Sequence, residues 1–146
     1  MDAIEIPKLL KNGIDLKATT ITSFGHTIDA IKSGETEGIS VHPDTKITLF
    51  TAFGMITGNL LNSHLLKSEE EKMIERFHEG VFDFRNLQIN RLSDEEDITE
   101  IFNKTGNIAL TNVEVSYYAN PSNIQNFSYL LVFADQVVGL TFGNKA

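Results

Sequence analysis

The chain has 146 residues, 41% of them hydrophobic and 22% charged, and no cysteine. That size and mix suit one globular domain able to bury a core without covalent staples. The missing cysteine excludes disulfides, thiolate metal sites and cysteine nucleophiles, and a net charge of −8 disfavours non-specific nucleic-acid binding.

The start, MDAIEIPKLLKNG, has neither the basic stretch nor the apolar run of a signal peptide. No run approaches the roughly 18 apolar residues of a membrane span. The expectation is a cytoplasmic protein with no membrane attachment. Residues 4–12 read as a short helix, with Pro7 in the first turn and Asn12-Gly13 as its stop. Residues 14–32 are ambiguous: Thr27 followed by Asp29 is a pattern that opens a helical turn, but the β-branched cluster Thr19, Thr20, Ile21 and Thr22 tips the reading towards extended structure. After the polar loop SGETEG (33–38), Lys46 to Thr51 alternates in period two. Ala52-Phe53-Gly54 turns, and Met55 to Leu61 returns, with Gly58 as a bulge or bend.

The character changes near Ser63. Residues 63–105 hold 11 acids against 6 bases. Ser68-Glu69-Glu70-Glu71 is a capping box, followed by Met73, Ile74, Phe77 and Val81 at helical spacing and by Gly80 as a stop. Phe82/Phe84 and Leu87/Ile89 alternate, as short strands do. Ser93 to Glu96 forms a second capping box, opening a helix with Ile98, Ile101 and Phe102 as its stripe. From Ile108 to Tyr117 the pattern is strand again. Residues 119–123 (ANPSN) form a loop, and LLVFADQVVGLTFG (130–143) reads as a last hairpin turning at Asp135-Gln136.

Chemistry is sparse. Glu75 and His78 stand three apart on a helix, but a di-iron site needs a second such pair, which the sequence lacks. The acidic runs 69–71 and 94–97 lack the alternating oxygens and central glycine of a calcium loop. No phosphate-gripping Gly-Lys-Ser/Thr and no nucleophile elbow occurs. The aromatics at 50, 53, 117, 118, 127, 129, 133 and 142 are interleaved with Asn, Ser and Thr. Stacking platforms for nucleic acid use Lys or Arg instead. No catalytic, cofactor-binding or metal-ligating residue is assigned, and no cofactor is expected.

In order, the β segments ITLFTAFGMITGNLL (47–61), IALTNVEVSYY (108–118) and LLVFADQVVGL (130–140) resemble the Sm-like (LSm) proteins. These are small, bent five-stranded barrels related in shape to SH3 barrels, with a short helix at the start. The resemblance implies one mainly β (α+β) domain over 1–146, with an acidic, part-helical insertion at about 63–105. RNA-binding members of the family carry an Asp and an Asn before the third strand and an Arg- or Lys-Gly pair in the final turn. Here only Asn107 lies near the first place, and Phe133-Ala134-Asp135 occupies the second. RNA is therefore not the expected partner. Family members assemble through the edges of their fourth and fifth strands. That implies a homo-oligomer, or a complex with another protein, with Tyr129, Leu131, Phe133, Val137, Leu140 and Phe142 on the contacting strands. The expected role is a non-catalytic scaffold. The alternatives are a ligand-binding protein or enzyme with the insertion as a lid, and an RNA-binding relative.

Overall fold

The computed structural model describes residues 4–10, 14–63, 65, 67–95 and 105–143. The chain divides into two compact units, Asp15–Leu66 with Thr105–Ala146, and Met1–Ile14 with Lys67–Lys104.

The first of these begins with a helix where the β-branched cluster had pointed to extended structure. α1 spans Leu16–Lys32. Asp15 caps it, accepting the Ala18 amide at 3.0 Å. The threonines do not oppose the helix, because their hydroxyls donate back to it. Thr19, Thr20 and Thr27 reach the carbonyls of Asp15, Leu16 and Ser23, four residues earlier. Ile21, Gly25 and Ile28 are buried at helical spacing. A Cβ on Gly25 would fall 2.2 Å from the Leu60 side chain, so the glycine sets how closely the helix approaches the sheet.

Five strands follow: β1 Lys46–Thr51, β2 Gly54–Leu60, β3 Asn107–Tyr117, β4 Asn120–Phe133 and β5 Val137–Gly143. They form one antiparallel sheet in the order β4-β3-β2-β1-β5. The β1–β2 hairpin forms as its alternation predicts. Thr51 holds the turn, donating to Gly54 O at 2.9 Å and accepting from the Phe53 and Gly54 amides. The bulge expected around Gly58 sits opposite it, on β3. Asn112 has φ 51°, and the β2–β3 register shifts between Thr57 and Asn59. This moves the buried set from Ile108 and Leu110 to Val113 and Val115, a step of three instead of two. Pro121, expected in a loop, lies inside β4, an edge strand, where its missing donor costs no ladder bond.

The last two strands are not a hairpin. β4 pairs only with β3 and β5 only with β1, so they form opposite edges of the sheet. Only Ala134–Gln136 join them, as one 3-10 turn. Four strand spacings in a flat sheet would separate the edges by about 19 Å. The four Cα steps from Phe133 to Val137 span at most about 14 Å. The sheet therefore curls, yet among the described residues its edges form no ladder with each other. The core lies between the sheet and α1, built from Ile21, Ile28, Leu49, Ile56, Leu110 and Val113 among others.

The second unit holds one 3-10 turn, Lys8–Leu10, where a helix over 4–12 was expected; residues 11–13 lie outside those described. Its main element is α2, Glu69–Glu95. The Ser68 capping box forms, with the Glu71 amide donating to Ser68 Oγ at 3.2 Å. The helix then runs on through Gly80, through 82–89 and past Ser93, where a stop, strands and a new cap had been expected. Glycine weakens a helix by about 1 kcal/mol but ends one only in a left-handed conformation, which Gly80 does not adopt. The alternation of Phe82 with Phe84 is a local accident inside the longer 3.6-residue repeat of Met73, Phe77, Val81 and Phe84. The helix expected beyond Glu96 falls on residues 96–104, outside those described.

Candidate functional site

The side chains that could carry chemistry are dispersed. Among the described residues no three His, Asp or Glu come together as metal ligands. Glu75 forms an ion pair with Lys67. His78 lies 4.6 Å from the Phe82 ring, whose face also receives the Arg85 guanidinium at 4.4 Å. Burial pushes the His78 imidazole below its ordinary value. Asp15 accepts the Gly106 amide at 2.6 Å as well as that of Ala18, and these bonds hold its carboxyl below the usual range. The Ala18 bond caps α1, and the Gly106 bond ties that cap to the residue before β3. They are structural.

What the fold presents instead is two strand edges. β4 is 14 residues long, and no charged residue occurs between Val115 and Ala134. Natural edge strands are usually short, charged, bulged or covered. β4 has Pro121 and a register irregularity against β3 near its beginning, and from Ile124 to Phe133 it runs in regular register without a charge. Tyr129 and Leu131 are half-buried on it, and Phe133 is 55% exposed.

β5 is different. Phe50 pairs with Gly139 and Thr51 with Val137, so Val138 is an extra, bulged residue, 76% exposed. Its neighbour Val137 is buried in the core, and Leu140 packs against that core. Both thus serve the interior more than a contact. Phe142 is half-exposed, with its ring 5.7 Å from Phe24 of α1. The Lys17 ammonium donates to the Val137 carbonyl at 2.9 Å. Bulge and lysine occupy the start of this edge, which leaves the stretch from Gly139 to Gly143 in regular register. Between α1 and β5 runs an apolar groove of about 390 Å³, lined by Leu16, Thr20, Ile21, Val138 and Leu140 among others.

Of the residues expected on the contacting strands, Val137 lies in the core and Leu140 packs against it, Tyr129 and Leu131 are half-buried, and Phe133 and Phe142 are exposed; Val138 was not among them. Period-two counting places Val137 and Val138 on opposite faces but cannot say which is buried, because the bulge lies in the pairing with β1.

No family model, curated protein or solved structure gives a significant match to this chain. No helix among the described residues is long and apolar enough to cross a membrane.

Proposed function

We infer that this protein is a non-catalytic, Sm-like small β-protein that assembles with copies of itself, or with another protein, through its sheet edges. The observation that carries the reading is β4, a long uncharged strand at an open edge. On its outer side no strand pairs with it among the described residues, so backbone groups there are open to a further strand. A strand from another chain satisfies them, and excluding water from the flanking apolar side chains adds to the contact. The fourth and fifth strands form the two edges, which agrees with the assembly mode that the Sm-like resemblance implies. An open edge at each end allows head-to-tail joining, which generates rings or filaments.

Light scattering at high protein concentration tests this. The expected mass is several times 16.3 kDa. Lysines at the exposed positions Asn126 and Ser128, in the Asn126→Lys, Ser128→Lys double variant, are expected to return the protein to a monomer with its circular dichroism unchanged. A wild-type protein that stays monomeric overturns the reading.

The groove beside β5 favours one other reading, binding of a small apolar ligand, since its volume falls within the range of ordinary ligand pockets. An apolar fluorescent probe that binds the wild type, and is lost in Thr20→Trp without change of mass, would select that reading over assembly.

A further inference from the structure

We propose that a cavity beside the β3 bulge is a binding site for a free amino acid, held as its zwitterion. The inference goes beyond edge pairing and does not rest on it. The cavity measures about 320 Å³, and Lys46, Asn112, Glu114, Asn126, Phe127 and Ser128 are among its lining residues. That volume is at the lower end of ordinary ligand pockets. Asn112 has its φ of 51° at the bulge, and the Lys46 ammonium, from the start of β1, donates to its carbonyl at 3.0 Å. An ammonium has three donors, so two remain. Glu114 is half-buried within β3, opposite Thr57 of β2 and Asn126 of β4. Lys46 and Glu114 line the same cavity, yet they form no ion pair with each other. Among the described residues, the side chains of Glu114, Asn112, Asn126 and Ser128 make no hydrogen bond.

The charge pattern selects the ligand. The cavity holds one ammonium and one carboxylate, and both lose water when anything fills it. A simple anion would suit Lys46 but be repelled by Glu114. A metal cation would meet the reverse, with one carboxylate where hard cations gather several oxygens. A neutral sugar would strip water from both charges and offer neither an opposite charge. An amino acid zwitterion carries one group for each. Its carboxylate accepts from the Lys46 ammonium, and its ammonium donates to the Glu114 carboxylate. The Asn112 and Asn126 amides and the Ser128 hydroxyl can each donate or accept, so they complete the hydrogen bonds of either end. Phe127, 41% exposed, offers a ring for the ligand's side chain.

Equilibrium dialysis of the full-length protein against radiolabelled L-leucine tests this, with isocaproate, isoamylamine and D-glucose as competitors. L-leucine is expected to bind saturably, one per chain, with a dissociation constant below about 1 mM. Isocaproate lacks the ammonium and isoamylamine lacks the carboxylate, so each is expected to compete at least about tenfold more weakly than unlabelled L-leucine. Glucose is expected not to compete. Glu114→Gln keeps the shape of the side chain and removes its charge. It is expected to weaken L-leucine at least about tenfold, while isocaproate binds it no more weakly than it binds the wild type. Lys46→Gln is expected to weaken both ligands. Both variants are expected to keep the circular dichroism and the mass of the wild type, which separates this site from edge association. No saturable binding of L-leucine, equal competition by isocaproate, isoamylamine or glucose, or wild-type affinity in the two variants overturns the proposal.

Discussion

The curled sheet and α2 answer the same demand, burial of apolar surface, in opposite ways. In the sheet, Leu49, Ile108 and Leu110 are completely buried. Strands far apart in sequence build that core, so each side chain gains from neighbours that local pattern does not reveal. α2 is amphipathic and well capped, yet the side bearing Phe77 and Phe84 stays exposed. Local terms contribute to its stability: the Ser68 cap, Glu69 to Glu71 at the positive end of the helix dipole, and the Lys67–Glu75 pair. A hydrophobic pattern thus establishes that a face will be covered. It does not establish how completely.

Truncation separates the two regions most sharply. Leu110→Ala removes a side chain with no solvent exposure and is expected to destabilise the sheet unit by about 3–4 kcal/mol in urea unfolding. Phe84→Ala on α2 is expected to change monomer stability by less than about 0.5 kcal/mol. Equal effects would erase the distinction. Glycine substitution should then give opposite signs. A Cβ on Gly54 would lie 2.3 Å from the Ser116 carbonyl oxygen, so Gly54→Ala is expected to cost about 1–3 kcal/mol. Gly80→Ala, with open space around it, is expected to stabilise the helix by about 0.5–1 kcal/mol, read from the thermal loss of ellipticity at the helical band.

The smallest effect concerns pH. The Gly106 and Ala18 amides hold the Asp15 carboxyl below its ordinary value in the folded state. The carboxylate therefore contributes stability that is present above its unfolded pKa, near 4. That contribution is lost as pH falls through the folded value. Asp15→Asn is expected to flatten this acid-side loss in thermal melts between neutral pH and about pH 3, and an unchanged slope would contradict the account. α2 has no equivalent bond between a buried-edge amide and a carboxylate from a distant element among its described residues.

The β1–β2 hairpin, β3 and the strand character of residues 130–143 were legible because alternation repeats over several residues. α1 was not. Its threonines score as strand formers, and only their bonds to Asp15 O, Leu16 O and Ser23 O reconcile them with a helix. α2 was legible as an amphipathic start but not as 27 continuous residues, because Gly80 imitates a stop. Of the residues named on the last two strands, Val137 lies in the core and Leu140 packs against it. Val138 emerged only from a bulge in the pairing with β1.

Composition and periodicity were enough to establish a mainly β chain with an acidic helical segment and a strand-forming last third. Those properties are local, set by side chains a few residues apart. Which strands lie at the edges, and that the final turn joins opposite ends of one sheet, depend on hydrogen bonds between residues up to about a hundred positions apart. Lys46 pairing with Gly143 is one of them. Such pairings win by the summed burial of the whole core, a quantity that no short window of sequence contains.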